Sequence, residues 1–176
     1  SPDGTGDILN QLSEKHKNIS VVHRTGKLGI GSAHIEGINL AYDKAYKNLI
    51  TMDCDFTHSP EYIKQFLDNS KKYDIVIGSR YLQENSLKGW NAFRKILTKI
   101  GHFLTSIFLK IPFDATAAYR LYRLDKISKD FINLIDSRSY SFFFESLYVL
   151  HVNGYKIKEV SIDLPARVYG HSKMSF

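Results

Sequence analysis

Cysteine is nearly absent from this chain: Cys54 is the one cysteine in 176 residues, which excludes an internal disulfide framework. No Cys/His pattern suited to thiol chemistry accompanies it, and between two acids Cys54 reads as a small buried residue rather than a nucleophile. Long apolar runs are also missing. No stretch reaches the roughly 18 residues that a bilayer-crossing helix needs, so no membrane span is expected, and no signal peptide is expected. Internal repeats, low-complexity tracts and linkers are absent, which argues for a single domain over residues 1–176. The opening Ser1-Pro-Asp-Gly-Thr5 carries no initiator Met, so the domain is expected to be incomplete at its N-terminus.

What is present points to an anionic partner. The formal net charge is +6, with 43% hydrophobic residues, 11 Tyr and 11 Phe. A basic protein of this size suits a nucleotide, a phospholipid, a polyprenyl phosphate or a nucleic acid. Nucleic-acid binding would require a basic stripe with stacking aromatics, and no recognised motif supplies one; no nucleic-acid partner is expected.

Chemistry concentrates in Leu49-Ile-Thr-Met-Asp53-Cys54-Asp55-Phe-Thr57-His58. The apolar run reads as a buried strand, and it ends in two carboxylates one residue apart. Residues i and i+2 of an extended chain point the same way, so Asp53 and Asp55 can address one point beyond the strand end. Hard cations such as Mg²⁺ and Mn²⁺ take oxygen ligands and share their shell with substrate phosphates. The pair therefore reads either as a metal–diphosphate site or as a solvated acidic turn.

The rest of the pattern alternates strands and helices. A helix is expected from the opening turn to near Lys17, with Ile8, Leu9 and Leu12 along it, and a short strand over Ile19–Val22. Gly26-Lys27-Leu28-Gly29-Ile30-Gly31 forms a glycine-rich loop before helically spaced Ile35, Ile38, Ala41, Tyr42 and Ala45. The loop could admit a phosphate or be a plain flexible turn, and it matches neither the phosphate-loop nor the dinucleotide fingerprint. Further on, a helix over 60–71 with Ile63, Phe66 and Leu67 inward leads to a buried strand from Asp74 into Gly78-Ser79-Arg80-Tyr81. Arg80 at that strand end could grip a phosphate or pair with any nearby carboxylate. Over about 91–110 a long amphipathic helix carries Phe93, Ile96, Leu97, Ile100, Phe103, Leu104, Ile107 and Phe108 beside Arg94, Lys95, Lys99, His102 and Lys110. That helix could pack on the sheet or lie in a membrane interface. A loop through Asp114 and Thr116 runs into a strand near Tyr122. Asp125 is expected to cap a helix to about Leu134, and an apolar helix over 141–152 closes at Gly154. Within it Glu145 is expected either to pair with a cation or to be a site residue of shifted pKa. A strand over 155–164 precedes a basic tail that is either a closing loop or a frayed end. The order predicts an α/β fold with a mostly parallel central sheet flanked by helices.

Taken together, Ser1-Pro-Asp-Gly-Thr5, Gly26–Gly31, Met52-Asp-Cys-Asp55, Gly78-Ser-Arg-Tyr81, Gly89-Trp90 with Arg94-Lys95, Asp114-Ala-Thr116, Tyr119-Arg-Leu-Tyr-Arg123, Phe144-Glu145 and Arg167-Val-Tyr-Gly-His-Ser-Lys-Met174 resemble the dolichyl-phosphate mannose synthases and their bacterial polyprenyl-phosphate relatives. These are family 2 glycosyltransferases of the GT-A fold. The resemblance implies inverting, metal-dependent transfer of mannose from GDP-mannose to a polyprenyl (dolichyl-type) phosphate at the cytoplasmic face of a membrane, with peripheral contact. It places Asp53, Asp55 and, less firmly, Thr57 on Mg²⁺ or Mn²⁺. Asp3 and Lys27 fall on the nucleotide side, and Lys173 in a closing loop near the diphosphate. Arg80, Arg94, Thr98 and Arg167 match the residues around the acceptor phosphate; Asp55, Arg80, Arg94 and Arg167 are the expected catalytic set. The family's first strand and its Pro-x-x-Asn-Glu segment have no counterpart here, so the N-terminal strand is missing and the nucleobase pocket is incomplete. A UDP-sugar donor, as in polyprenyl-phosphate glucosyltransferases, and a non-catalytic nucleotide-sugar-binding subunit are the alternatives.

Overall fold

The computed structural model describes residues 3–83, 86–87 and 92–165, without the side chain of Arg94. Nine elements follow in order: α1 (Thr5–Lys15), α2 (Ile30–Asp43), β1 (Asn48–Thr51), α3 (Ile63–Ser70), β2 (Ile75–Ser79), α4 (Ala92–Leu109), β3 (Arg120–Arg123), α5 (Phe142–Val152) and β4 (Ile157–Ser161), with 3-10 turns at Pro60–Tyr62 and Lys129–Leu134.

The four strands form one sheet in the order β1-β3-β2-β4. β3 runs antiparallel to both β1 and β2, whereas β2 and β4 are parallel. Three strands therefore share a direction, as a mostly parallel sheet requires. The reversed strand β3 sits between two of them, however, so β2–β4 is the parallel ladder of the three. β3 follows β2 through α4 and the loop before Tyr119, and it enters the sheet reversed between β1 and β2.

Both faces of the sheet are covered. Ile75 and Ile77 join Ile35, Ile38, Phe142, Leu147 and Leu150 on one face; Val76 and Leu121 join Phe66, Tyr119 and Val160 on the other. Every residue of β2 is buried for this reason, the pattern expected when helices sandwich a strand. Gly78 keeps β2 close to its cover: a Cβ there would lie 2.8 Å from Ile162 Cδ1 and 3.3 Å from Phe66 Cζ.

Several expectations are corrected. Ile19–Val22 forms no ladder among the described residues. Leu67 faces outward, 42% exposed, while Phe66 is fully buried; an eight-residue helix turns too narrow a face inward for both. Ser128, not Asp125, caps the turn at Lys129–Leu134, its hydroxyl accepting from the Asp130 N–H. Asp125 instead takes two hydrogen bonds of 2.7 Å from Arg123, a fork that fixes it to the end of β3. Cys54 is exposed rather than buried, because alternation turns it away from its acidic neighbours.

The glycine-rich loop has a structural explanation. Gly29 has φ 90°, and a Cβ there would collide with the carbonyl of Arg138; one at Gly31 would lie 2.6 Å from Phe142 Cβ. Ser32 N–H donates to that same Arg138 carbonyl over 3.1 Å. These two glycines let the start of α2 press against the chain leading into α5.

Candidate active site

The ends of β1 and β2 and the loop entering β3 meet at one rim of the sheet, the position where open α/β sheets place ligands. Past β1 the chain stays alternating: Asp53, Asp55 and Thr57 are half-buried while Cys54 and Phe56 are exposed. Both carboxylates thus lie on the sheltered side. Thr57 donates to Asp55 Oδ1 from its hydroxyl (2.6 Å) and its N–H (3.2 Å). The turn requires φ 64° at Phe56, a left-handed conformation that costs a non-glycine residue about 1 kcal/mol or more.

His58 locks this turn. Its Nδ1 accepts the Asp53 N–H at 2.8 Å, and its ring stacks on Tyr119 with centroids 4.9 Å apart. The Tyr119 hydroxyl in turn donates to the Ser59 carbonyl. Burial is the main influence on His58 and lowers its pKa; Asp53 and Asp55 oppose that shift, and Arg80 reinforces it. β1 and β2 both pair with Arg120 of β3 at this end, through Thr51 and Ile77, so the carboxylates that follow β1 and the arginine that follows β2 lie on the same rim.

Arg80 is committed to the loop before β3. Its Nε donates to Asp114 Oδ2 at 2.8 Å and its Nη2 to Thr116 Oγ1 at 2.8 Å. Asp114 is 1% exposed and Arg80 13%. Thr116 also donates to Asp114 Oδ1 through its hydroxyl and N–H, and Glu159 accepts the Asp114 N–H at 2.6 Å. Burial pushes the Glu159 carboxyl up. Beneath the loop, Arg120 is fully buried. It donates to the carbonyls of Ala115, Ala117 and Phe143 and to Ser146 Oγ, satisfying a buried cation largely with backbone oxygens.

A cavity of about 620 Å³ opens beside the acids, lined by α2 and the end of β1, including His34, Ile38, Thr51, Asp53, Asp55 and Tyr140. His34 packs between Phe142 and Phe143. Burial, reinforced by Arg120, lowers its pKa to about 4, so the imidazole is neutral at physiological pH. Asp53 and Asp55 are the carboxylates on this cavity. Among the described residues no cluster of three or more acids, His and Cys stands ready for a metal. Two carboxylates on a cleft large enough for a diphosphate fit a hard cation that takes its remaining oxygens from substrate and water.

The remaining sequence-predicted residues are scattered. Asp3 accepts from the N–H and hydroxyl of Thr5 at the start of α1, which lowers its pKa. Lys27 is exposed in its loop. Thr98 is half-buried on α4, its carbonyl accepting from the Tyr81 hydroxyl. Arg94 lies in α4 with its side chain outside the described residues, as are Arg167, Lys173, Gly89 and Trp90 entirely. Glu145 accepts from backbone N–H groups: partial burial raises its pKa, but hydrogen bonds from Ser137 and Asp136, with the charge of Arg138, outweigh this and hold it low.

Sequence reasoning left His58, His34 and Arg120 without a role. Position after an acidic turn was the available signal for His58. Nothing local distinguishes a buried Arg120 from the exposed arginines around it.

The fold is that of the nucleotide-diphospho-sugar transferases. The family model for glycosyl transferase family 2 matches residues 1–138, and the chain belongs to that family; it is a glycosyltransferase. It is 35% identical over 176 residues to an undecaprenyl-phosphate mannosyltransferase of Micrococcus luteus, covering 99% of this chain and 72% of that protein. It is 34% identical over 178 residues to a polyprenol monophosphomannose synthase of Mycolicibacterium smegmatis, covering 99% of this chain and 67% of that one. A solved structure from Desulfovibrio desulfuricans G20, assigned to the nucleotide-diphospho-sugar transferases, superposes with TM-score 0.50 at 13% identity, over 94% of this chain and 57% of its own length; it supports the fold alone.

Proposed function

We propose that this chain transfers mannose from GDP-mannose to a polyprenyl phosphate, with inversion, at a membrane surface. The observation that carries the reading is the rim itself, where Asp53 and Asp55 follow the end of β1 on the cavity and Arg80 follows the end of β2, both strands pairing with Arg120 of β3. Such a rim can hold two anionic substrates against each other. The relatives' names supply the mannosyl group and the lipid phosphate.

The acceptor is a phosphate monoester with a second pKa of about 6, so it is largely dianionic at neutral pH and needs no protein base. One of its oxygens attacks the anomeric carbon from the side opposite the nucleotide. The bond from that carbon to the diphosphate oxygen breaks as the new one forms, the diphosphate leaves with the electron pair, and configuration inverts. A Mg²⁺ or Mn²⁺ held by Asp53 and Asp55 supplies charge neutralisation on the departing diphosphate. On the other side Arg80, with Arg94 and Arg167, holds the acceptor phosphate. Asp114 and Thr116 aim Arg80, and His58 orients the backbone that carries Asp53.

α4 supports the membrane part of this reading. Its half-buried positions are polar: Lys95, Thr98, His102, Thr105 and Ser106. Its large apolar side chains are exposed, with Phe93, Phe103 and Phe108 at 72%, 62% and 77%. This reverses the usual orientation of an amphipathic helix in a soluble domain. A contiguous apolar face of this kind marks a contact surface, and with Lys99 and Lys110 exposed beside it, an anionic lipid surface suits it. Among the described residues no helix is long and apolar enough to cross a membrane.

The test is incorporation of labelled sugar from GDP-mannose, UDP-glucose or UDP-GlcNAc into polyprenyl phosphate in anionic vesicles, with vesicle flotation alongside. GDP-mannose is expected to be the donor used, and Lys99→Glu with Lys110→Glu to weaken flotation about 30-fold or more, at ~1 kcal/mol per positive charge lost. Preference for a UDP-sugar would replace the donor, and unchanged flotation would remove the lipid role of α4.

A further inference from the structure

α4 joins the rest of the protein through a narrow seam, and the hydrogen bond and ring contact described across it both involve Tyr81. The Tyr81 hydroxyl donates to the Thr98 carbonyl at 3.2 Å. The His102 ring stacks on the Tyr81 ring with centroids 4.0 Å apart and planes 15° from parallel. On the body side Tyr81 directly follows Arg80, whose guanidinium carbon lies 5.7 Å from the centre of the same ring. Tyr81 N–H donates to Ser79 Oγ, and Ser86 Oγ donates to the Arg80 carbonyl, so the backbone on both sides of the ring is held.

One aromatic ring thus bridges the helix with the exposed apolar face and the arginine on the acceptor side. We propose that Tyr81 is a positioning residue that sets Arg80 at a fixed height and angle relative to α4, so that a phosphate presented by a lipid surface arrives where Arg80 can hold it. The inference rests on the polyprenyl-phosphate reading above and adds to it a coupling between lipid contact and acceptor capture. A ring that merely filled space would matter equally for every acceptor. A ring that registers a surface against a site matters when the acceptor is anchored in that surface, because a membrane-held phosphate cannot adjust its own depth, whereas a soluble one can.

The distinguishing experiment compares two acceptors, long-chain polyprenyl phosphate in vesicles and a short, water-soluble isoprenyl phosphate. The proteins are the wild type, Tyr81→Leu, Tyr81→Phe and His102→Leu. Tyr81→Leu and His102→Leu are expected to raise KM for the vesicle acceptor about 10-fold or more, since small misplacements of binding groups carry penalties of that order. KM for the nucleotide sugar, kcat with the soluble acceptor and vesicle flotation should stay within about 3-fold of wild type, the pattern of a lost ground-state binding contribution. Tyr81→Phe keeps the stack and should recover most of the loss. His102→Leu approaches the seam from α4, so it tests the coupling even if substitution at position 81 disturbs the end of β2. Equal losses with both acceptors, a matching rise in the donor KM, or no change in either leucine variant would overturn the coupling. Wild-type protein that transfers sugar to neither acceptor would overturn the underlying reading, and this inference with it, in a way plainly separate from a selective variant effect.

Discussion

Two turns in this protein share a local design and lie in different surroundings. In Asp55-Phe-Thr57 the threonine hydroxyl and N–H donate to the aspartate Oδ1 at 2.6 and 3.2 Å; in Asp114-Ala-Thr116 the same two bonds measure 2.9 and 3.2 Å. The spacer separates them. Phe56 is 80% exposed and Ala115 is 2% exposed, so the first turn stands at the rim of a cavity and the second lies inside the protein. Asp114 then receives Arg80, while Asp55 lines the cavity beside Asp53. The three-residue pattern determines how a carboxylate is held; what neutralises it depends on what the fold brings to its other oxygen. A carboxylate buried with an internal arginine is a structural anion, and one lining a cleft is placed to reach a ligand.

This contrast breaks most visibly at Asp55. Asp55→Ala should reduce sugar transfer about 100-fold or more and abolish Mn²⁺ binding followed by electron paramagnetic resonance, with little change in thermal stability. Chelator should silence the wild type to a similar extent. Full activity in either case would make the turn a plain acidic loop. Asp114→Ala should act on stability as well as on transfer: it releases Arg80 from its aim and strands a largely buried guanidinium, at a cost of about 3 kcal/mol in urea unfolding. If Asp55→Ala proves the more destabilising of the two, the division between ligand and structural anion is reversed.

The wall opposite the acids sharpens the contrast further, with a smaller effect. His34 is held neutral by burial and by Arg120, with its pKa lowered to about 4 from 6.5. The unfolded chain therefore binds a proton that the folded protein refuses between those values. Stability should fall as pH drops from 6.5 towards 4, by up to about 2 kcal/mol at pH 5. His34→Phe, which keeps the packing on Phe142 and Phe143, should flatten that part of the pH–stability curve. An unchanged curve would mean that this wall tolerates charge as readily as the acidic one.

The sequence made the framework legible. β2 was visible as an apolar run, the close of α5 at Gly154 as a helix stop, and the length of α4 as a sustained stripe. The acids of β1 were legible because spacing along an extended chain is a local property. Less legible were the features that need a distant partner. The pairing of Arg80 with Asp114 spans 34 residues, and the stack of His58 on Tyr119 joins β1's loop to the start of β3. The glycines of the loop before α2 read equally well as a phosphate cradle, and their reason proved to be the Arg138 carbonyl more than a hundred residues away.

Residue order alone therefore decided which side chains could act: an acidic pair one residue apart, an arginine at a strand end, and a helix with too much apolar surface for its polar share. These follow from short-range geometry, since alternation and helical period depend only on neighbours. Tertiary structure alone decided that Asp114 meets Arg80, which histidines lose their charge, and that α4 turns its polar side inward. Those outcomes depend on burial and on contacts between segments remote in the chain, where desolvation costs are set by whatever the fold places alongside.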